Sequence, residues 1–288
     1  MWCIMLDLKN IDKLTLGEWL SFWFETYKKP HLKKYSVRNI EQIIRLHTPL
    51  WLKQIPIQSI TIFDIDRALS LIPLGRTRVY ARQVWHSAFH KAESLGIINR
   101  NVLLLTDRIK YKKKVSRALT IEEQNQFLQR LEDSPYKWLF LFYLHTGVRR
   151  NEALTLEWKD IKDKDGVILI KGTKTDASHR FIVLTDVVRD ILFERLKQAK
   201  KQGSIGSRVF PYRCDFVSKQ FKKLCPEHHL HDLRHTFITR CAECGMNVNV
   251  CQQIVGHSSV DMTLNVYTHV VDDFKRKEMA KFTLFPKY

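Results

Sequence analysis

Five residues of this chain have the chemistry that attack on a phosphodiester requires. Arg149 follows a T-G-V tripeptide, His231 and Arg234 share an H-D-L-R-H segment, His257 follows a glycine, and Tyr267 lies between valine and threonine. Arginines bind non-bridging phosphate oxygens through paired hydrogen bonds and stay charged. Histidines transfer protons near neutral pH, and a tyrosine hydroxyl can act as a covalent nucleophile. Together these groups would support phosphodiester cleavage without a metal ion.

The spacing of these residues predicts which side chains share a helical face. Residues three apart lie on one side of a helix, so His231 and Arg234 would both reach one phosphate. Glu152 follows Arg149 at the same spacing and would hold its guanidinium through a carboxylate bond. In isolation an R-x-x-E pair is more often a surface ion pair. Arg150 is the alternative to Arg149 as the phosphate-binding arginine, but Glu152 is then two residues away instead of three.

Two other polar residues of the H-D-L-R-H segment have a different expected role. Asp232 and His235 project away from the face that His231 and Arg234 share. We expect them to orient the turn or to pack, because a single histidine in a protein is usually a satisfied structural group.

The charge balance indicates a polyanionic partner. The 288 residues include 48 Lys and Arg against 30 Asp and Glu, a formal net charge of +18. A folded chain this basic most often binds nucleic acid, and the alternatives are an uninvolved basic surface or an anionic membrane face. Hydrophobic residues make up 44% of the chain, which supports a folded core rather than disorder.

The cysteines and the apolar segments predict a cytoplasmic location. No segment approaches the length of a membrane span, and the first residues lack the pattern of a signal peptide. The six cysteines show no secreted disulfide framework, which favours a reducing compartment. Cys241 and Cys244 form a C-x-x-C pair, with Cys251 further on. Because no second pair has finger-like spacing, we expect buried or unreactive thiols rather than a zinc site.

The first part of the chain is expected to be helical. A capping box at Thr15–Glu18 opens the first helix, and Ser36 and Thr61 are expected to cap the next two. A fourth helix is predicted from about Arg76 to Leu95, where Gly96 ends it. Four short helices rich in Lys and Arg favour a compact DNA-binding module over a helical domain with a solvated charged face.

A basic stretch without periodicity separates the two halves of the chain. It contains Lys112, Lys113 and Lys114 and is typical of an inter-domain linker that lies along a phosphate backbone. A second capping box, Thr120–Glu123, marks the start of the second domain.

The second domain is expected to combine helices with a β-hairpin. Two apolar runs, Val167–Ile170 and Arg180–Leu184, predict strands joined by a loop that contains Lys174. A lysine in such a loop is ordinarily solvated. Helices are expected at Trp138–Leu144, from near Arg150, and at Val187–Lys200, Phe216–Lys223, Leu233–Cys244, Val248–Ile254 and Ser259–Tyr267.

The order of these motifs resembles the tyrosine recombinases, the phage-integrase type of site-specific DNA recombinase. From about Arg117 onward the resemblance is carried by T-G-x-R-x-x-E, H-x-x-R and G-H-S followed by Y-x-H, and over residues 12–100 it is architectural. It implies a mainly α fold with a small antiparallel β-sheet in the catalytic domain. The implied organisation is an N-terminal extension (1–11), a helical core-type DNA-binding domain (12–101), a basic linker (102–116) and a catalytic domain with a C-terminal tail (117–288).

The resemblance also implies a role for each site residue. Tyr267 would attack a DNA phosphate to give a 3′-phosphotyrosyl link, and a 5′ hydroxyl of the partner duplex would reverse that step through a Holliday junction. Arg149, Arg234 and His257 would stabilise the pentacoordinate phosphate. His231 would accept or relay the proton of the nucleophile.

The remaining roles follow from the same resemblance. Lys174 would protonate the departing 5′ oxygen, with Lys171 and Lys164 as alternatives. The G-H-S…Y-x-H register alone selects Tyr267 among the nine tyrosines. No cofactor and no metal are implied, and the sequence contains no HExxH or P-loop motif.

The implied partners are double-stranded DNA, further copies of the chain in a tetramer on two DNA sites, and accessory DNA-bending or directionality proteins, with no membrane. The favoured function is the integrase of a phage or other mobile element. A Xer-like resolvase of chromosome or plasmid dimers is the alternative within the same chemistry. A non-cleaving DNA-binding protein on the same scaffold is the alternative from another class. Type IB topoisomerases share the chemistry, but the small helical first domain and the motif register favour recombination.

The two ends of the chain give further expectations. Phage integrases often carry a small arm-site-binding domain in front, whereas only a short segment precedes the first predicted helix here, which argues against arm-site regulation. After Tyr267, the spacing from Val270 to Phe274 suits a short amphipathic helix. Residues 274–288 are expected to dock on a neighbouring protomer, as in the resembled family, with folding back on their own domain as the alternative.

Overall fold

The computed structural model describes residues 12–111, 116–172, 179–203 and 206–257, together with Leu264 and Tyr267. The chain divides into two compact units, one ending at Lys114 and the other beginning at Val115. Separate apolar cores lie in the two units. In the part of the chain described, no helix is both long and apolar enough to cross a membrane.

The first unit is helical. Its α-helices in the described residues are α1 (Leu16–Trp23), α2 (Lys34–Gln42), α3 (Leu50–Lys53), α4 (Ile62–Ser70) and α5 (Arg76–Ser94). A π-helical turn follows α1 over Phe24–Lys28, and another follows α2 over Ile43–His47.

Tryptophans are among the largest side chains in the core of the first unit, and the polar atoms of two of them are satisfied there. The indole nitrogen of Trp19 donates to the carbonyl of Ala88 (3.0 Å), and that of Trp85 donates to the hydroxyl of Thr48 (3.0 Å). Because the N–H groups of Trp19 and Trp85 have partners, these two rings add apolar burial without the cost of an unpaired donor.

The helix starts of the first unit agree with the sequence at two positions and differ at a third. The hydroxyls of Thr15 and Thr61 accept from the third backbone N–H of α1 and α4, so both residues cap their helices as predicted. Both caps are complete capping boxes, which the sequence analysis predicted only for Thr15. The prediction that Ser36 caps the second helix is wrong, because α2 begins after Lys33. The extended backbone of Lys33 sets that start, and Ser36 lies in the first turn with its N–H donating to the Lys33 carbonyl (2.8 Å).

The second unit combines a small sheet with helices. Its described elements are α6 (Ile121–Leu131), α7 (Lys137–Thr146), α8 (Arg150–Thr155), β1 (Ile161–Lys162), β2 (Val167–Ile170), β3 (Arg180–Val183), α9 (Asp186–Lys201), α10 (Cys214–Leu224), α11 (Asp232–Glu243) and α12 (Val248–Val255). The mainly helical fold with one small antiparallel sheet confirms the predicted fold class.

The sheet is antiparallel in the order β1-β2-β3. Ile168 pairs with Ile182, and Ile170 pairs with Arg180. The isoleucines face the core, whereas Phe181 and Val183 are exposed on the other face. Residues two apart on a strand share a face, so this register directs Arg180 inward beside Ile182.

Several predicted features lie outside the described residues. These are the extension 1–11, Lys112 to Lys114 of the linker, Lys174 of the hairpin loop, and the tail 274–288. The predicted helix Ser259–Tyr267 is described only at Leu264 and Tyr267, which both have helical backbone conformation.

Candidate active site

The turn at Gly147 directs the chain from α7 to Arg149. Gly147 ends α7 with φ +61°, and a Cβ atom there would collide with the ring of Phe237. Arg149 follows with extended backbone and immediately precedes α8. The Glu152 carboxylate accepts from the backbone N–H of Arg149 (2.9 Å) and from its Nη1 (2.8 Å). One carboxylate therefore fixes both the start of α8 and the arginine side chain.

The start of α11 brings His231 and Arg234 to Arg149. His231 immediately precedes α11, and Arg234 lies in its first turn. The three side chains line one cavity of about 320 Å³, which Tyr143 and Asn151 also line. The spacing in the sequence and the packing of α11 against α7 together assemble this pocket.

Arg234 is almost completely buried and only partly paired. Its Nη1 donates to the carbonyl of Gly147 (2.6 Å), while its Nε and Nη2 are buried without a hydrogen-bond partner among the described residues. Burial lowers the pKa of the guanidinium to about 9, and the neighbouring charge of Arg149 contributes to the lowering. A buried cation with two unpaired donors favours an anionic ligand, because such donors bind phosphate or carboxylate oxygens strongly.

The two histidines of the site are neutral at physiological pH. Burial lowers the pKa of His231 to about 4, helped by the nearby His235 and by the charge of Arg234. Burial lowers the pKa of His257 to about 4 as well, helped by Arg234 and then Arg149. A neutral imidazole carries one donor and one acceptor nitrogen, so either ring is able to accept or donate a proton.

His257 reaches the site through the end of α12. Gly256 ends that helix with φ +66°, and its carbonyl accepts from Nη2 of Arg149 (2.5 Å). The backbone N–H of His257 donates to the carbonyl of Gln252 (3.2 Å). Arg149 therefore holds both Glu152 and the turn that carries His257.

Tyr267 lies in a small apolar cluster beside α11 and α12. Its ring packs against a group that includes Ile238, Cys241 and Cys251, and its hydroxyl donates to the carbonyl of Met246 (3.0 Å). Burial raises the pKa of the hydroxyl, and the Cys251 thiol raises it further. The phenol is therefore protonated at neutral pH, and attack by its oxygen needs a proton acceptor.

Comparison with known proteins agrees with this geometry. Residues 117–273, more than half of the chain, match the model of the phage integrase family, and residues 15–70 match the phage integrase N-terminal SAM-like domain. The chain belongs to the phage integrase family.

Curated relatives include several recombinases and integrases. The tyrosine recombinase XerA of Saccharolobus solfataricus is 29% identical over 176 residues, which cover 60% of this chain and 58% of that protein. The ICEBs1 integrase of Bacillus subtilis is 27% identical over 281 residues, which cover 84% of this chain and 76% of that protein. The match therefore spans less than two thirds of the XerA relative and about three quarters of the ICEBs1 integrase.

Solved integrase structures share the fold of this member of the family. The Tn1549 transposon integrase in complex with a circular intermediate DNA has a TM-score of 0.79 at 20% identity, covering 94% of this chain and 100% of that chain. A lambda integrase dimer bound to a COC′ core site has a TM-score of 0.74 at 22% identity, covering 88% of this chain and 95% of that chain.

One residue of the site was not among the sequence candidates. Arg180 faces inward at the start of β3 and donates to both oxygens of Glu152, at 3.2 and 2.9 Å. Its Nε donates to the carbonyl of Ile254 (2.6 Å). The signal that would have identified it is its alternation with the buried Ile182, because an arginine at an inward strand position needs a buried partner.

The expected role of Asp232 in orienting the turn agrees with its contacts. Its carboxylate accepts from the hydroxyl of Ser116 and from the backbone N–H of His229 (2.8 Å), and it lies 3.2 Å from Nδ1 of His228. The other ring nitrogen of the buried His228, Nε2, lies 3.2 Å from the Glu123 carboxylate. These contacts hold the start of α11, where His231 and Arg234 lie.

The alternative candidates have other partners. Nη1 of Arg150 donates to the hydroxyl of Ser218 (2.9 Å), so Arg149 alone of the two arginines is paired with Glu152. Lys171 forms ion pairs with Asp160 (2.7 Å) and with Glu157 (3.4 Å). Lys174 lies outside the described residues, and the assignment of the lysine stays a prediction.

The cysteines form no recognisable metal site in the described residues. No group of three or more His, Cys, Asp or Glu side chains there is arranged to hold a metal ion. Cys241 and Cys251 are buried, whereas Cys244 is exposed. The pKa of Cys241 is raised by its hydrogen bond with Cys251 and by burial.

Proposed function

We propose that this protein is a site-specific DNA recombinase that cleaves and rejoins DNA through a 3′-phosphotyrosyl intermediate, as the integrase of a phage or other mobile element. The observation that carries the proposal is Arg234, a buried cation with two donors unpaired among the described residues, beside Arg149 and two neutral histidines. This combination suits a phosphate that gains charge in the transition state.

The site residues divide the reaction between them. Arg149 and Arg234 bind the non-bridging oxygens of the scissile phosphate and stabilise the pentacoordinate transition state. His257 donates a hydrogen bond to the same phosphate. Glu152 does not contact DNA and holds Arg149 in place.

The bond changes balance without a cofactor. The Tyr267 oxygen forms a bond to phosphorus, and the bond from phosphorus to the 5′ oxygen breaks. His231 accepts or relays the phenolic proton, and Lys174 supplies a proton to the departing oxygen. A 5′ hydroxyl from the partner duplex then attacks the phosphotyrosine and releases the tyrosine, so the energy of the phosphodiester is retained.

Tyr267 must change partner before it attacks. Its O–H donates to the Met246 carbonyl, so that proton is directed to the main chain rather than to a histidine. Leaving this carbonyl and the neighbouring Cys251 thiol frees the hydroxyl at modest cost. We infer that DNA binding stabilises the freed position.

The proposed substrate is double-stranded DNA, and residues 12–101, the linker 102–116 and the catalytic domain 117–288 are each proposed to contact it. The net charge of +18 supports a polyanionic ligand, and solved integrases of the same fold are bound to DNA. A similar lambda integrase structure is a tetramer bound to a Holliday junction. We propose a tetramer of this chain on two sites, with residues 274–288 docking on the adjacent protomer, assisted by accessory DNA-bending or directionality proteins.

A Xer-like dimer resolvase is the second candidate. The 29% identity to XerA favours it, whereas the ICEBs1 integrase and the transposase A of Tn554 from Staphylococcus aureus, also a relative at 26% identity, favour a mobile element. The two functions share every step of the chemistry. Finding direct repeats in the DNA that flanks the gene would support the mobile element.

A covalent trapping experiment tests the chemistry. The probe is a set of nicked duplexes tiled across the DNA on both sides of the gene, on which a cleaved product cannot be religated. The wild-type chain should form an adduct that survives denaturing electrophoresis, and Tyr267→Phe should bind the same duplex without forming one. Tyr212→Phe is the matched control, because the Tyr212 hydroxyl also donates to a main-chain carbonyl, that of Pro135 (2.9 Å).

Two outcomes would contradict the proposal. One is adduct formation by Tyr267→Phe at the wild-type rate, which would move the nucleophile to another residue. The other is inhibition by EDTA, which would require a metal ion that this mechanism does not use.

A further inference from the structure

Arg180 connects two parts of the site that are far apart in the sequence. Its Nη1 and Nη2 donate to the Glu152 carboxylate at the start of α8, and its Nε donates to the Ile254 carbonyl near the end of α12. Its side chain is 10% exposed and that of Glu152 is 1% exposed. One guanidinium thus ties the start of α8 to the end of α12 inside the protein.

Glu152 is shared equally by two arginines. Oε1 accepts from Nη1 of Arg149 and Nη1 of Arg180, and Oε2 accepts from the backbone N–H of Arg149 and Nη2 of Arg180. A carboxylate buried this deeply needs most of its acceptor capacity filled to remain charged. Arg149 alone would leave half of those bonds unmade.

The end of α12 packs directly on Arg180. A Cβ atom at Gly256 would lie 2.9 Å from Nη1 of Arg180, so only a glycine allows this approach without a shift. The Gly256 carbonyl accepts from Arg149, and His257 follows it. Arg180 and Arg149 therefore hold the same turn from two directions.

We propose that Arg180 is a positioning residue, which clamps Glu152 to the end of α12 and thereby sets the Arg149 guanidinium and the His257 turn for the phosphate. Arg180 itself does not touch DNA. The inference rests on the proposed recombinase function, since it assigns Arg180 to the same phosphate site.

The electrostatics of Glu152 agree with this assignment. Burial alone would raise the pKa of its carboxyl, but the hydrogen bonds and charge of Arg180, followed by those of Arg149, lower the pKa to about 2. Without Arg180, the carboxyl would protonate at a higher pH. A protonated Glu152 has one fewer acceptor site for Arg149, so Arg149 would lose its position at acid pH.

Two substitutions separate the charge of Arg180 from its tether. Arg180→Met removes both, and Arg180→Lys keeps the charge beside Glu152 but cannot also reach the Ile254 carbonyl. Arg189→Met is the matched control, because Arg189 lies on α9 in the same unit and pairs with the exposed carboxylates of Asp163 and Asp186.

The rate of covalent adduct formation on the tiled nicked duplexes is measured against pH. Arg180→Met should reduce the rate roughly 100-fold, the size expected for a misplaced catalytic group, with unchanged affinity for a single DNA site. The rate of Arg180→Met should fall further as the pH is lowered and Glu152 becomes protonated. This fall at acid pH, the acid limb of the pH profile, should be absent from the wild type. Arg180→Lys should remove the acid limb while recovering only part of the rate, and Arg189→Met should match the wild type.

A double variant tests whether Arg180 acts through Glu152. Glu152→Gln/Arg180→Met has no buried carboxylate to protonate, so it should lack the acid limb and should be no slower than Arg180→Met alone. Three results would each overturn the inference. The first is a rate loss in the double variant equal to the product of the losses in the two single variants. The others are an Arg180→Met rate equal to the wild type and a loss of DNA affinity in Arg180→Met.

A measurement without DNA separates this inference from the proposed function. By 13C NMR of labelled glutamate, with Glu152→Gln giving the assignment, the Glu152 carboxyl should remain ionised in the wild type down to the acid unfolding transition. In Arg180→Met it should titrate while the chain is still folded. An unchanged titration refutes the clamp even when adducts form. Absence of any wild-type adduct refutes the recombinase instead, and the positioning role with it.

Discussion

The two units of this protein differ in what their cores contain. In the described part of the first unit, the buried polar side chains are neutral: Thr48, Asn101 and Thr106. The second unit buries the ionisable side chains of Glu152, Asp160, Arg195, His228, Asp232 and Arg234. Burying a charge costs free energy unless it is paired, so the second unit accepts a cost that the first avoids.

The buried charges of the second unit are of two kinds. Most have protein partners: Asp160 pairs with Lys171, and the buried Arg195 donates to the carbonyl of Val209 and lies against the ring of Tyr212. Within the part of the chain that the structure describes, Arg234 instead has two donors without a partner beside the cavity. The difference indicates that the second unit sacrifices stability at one position, where a ligand would supply the missing partners.

The largest expected effect concerns Arg234. Arg234→Met should lower the rate of adduct formation by roughly 100-fold to 1,000-fold, because it removes charge stabilisation from the transition state. The same change should raise the unfolding temperature, because it removes a buried, partly unpaired cation. Arg195→Met is the control and should lower the unfolding temperature while the site keeps its arginines. A less stable Arg234→Met would contradict the contrast between the two kinds of buried charge.

The second prediction concerns acid. The pKa of Glu152 in the folded state, about 2, lies below its ordinary value of 4.5. The ionised carboxylate therefore stabilises the fold above about pH 4.5, and this contribution, on the order of 3 kcal/mol, is lost as the pH falls toward 2. Glu152→Gln should remove this pH dependence.

Hydrogen exchange resolves that acid effect by unit. On acidification the second unit should lose protection before the first, where the carboxyls with lowered pKa values are the helix-capping Glu18 and Asp64 near the surface. Simultaneous loss of protection in both units, or a Glu152→Gln chain with the wild-type pH profile, would argue against Glu152 as the source.

A smaller effect is expected from the linker. Replacing Lys112, Lys113 and Lys114 by glutamine should reduce the slope of log affinity against log salt by up to about 3 units. Each phosphate contact that is lost means that about one counterion fewer is released when the protein binds DNA. The preferred DNA sequence should stay the same, since phosphate contacts do not read bases. Binding titrations at several salt concentrations measure the slope. An unchanged slope would mean that the linker does not follow the phosphate backbone.

The smallest effect should be equal in the two units. Thr15→Ala and Thr120→Ala each remove the hydroxyl that caps a helix, α1 in the first unit and α6 in the second. Each should cost about 1 kcal/mol of unfolding free energy, measured by denaturant titration. Because capping is local, a large difference between the two variants would show that the surrounding core changes the value of a cap.

Much of the local structure was predictable from the sequence because helix capping depends on residues that are close together in the chain. The caps at Thr15, Thr61 and Thr120 depend on residues three apart, and the structure contains all three. The start of α2 was not predictable from Ser36, because the extended conformation of Lys33 decides it. The helix α3 and the strand β1 are too short for a periodic pattern and exist through their packing.

In the candidate site, too, contacts between residues close in the sequence were predictable and contacts between separate elements were not. The sequence by itself determined the i,i+3 pairs. Glu152 reaches back from the first turn of α8 to Arg149, which precedes that helix, and the first turn of α11 places His231 and Arg234 on one cavity. Its motif order also indicated the family and selected Tyr267. Only the tertiary structure joined Arg180 to Glu152, because β3 and α8 are separate in the chain and meet through packing.

Burial too was decided by the fold alone. His231 and His257 are neutral, and Arg234 has donors without a partner in the described residues, because packing excludes water and because charges lie on other elements. The contact between the Tyr267 hydroxyl and the Met246 carbonyl has the same origin. A sequence specifies which groups are able to carry charge, but the free energy of each charge depends on the solvent and the neighbours that folding provides.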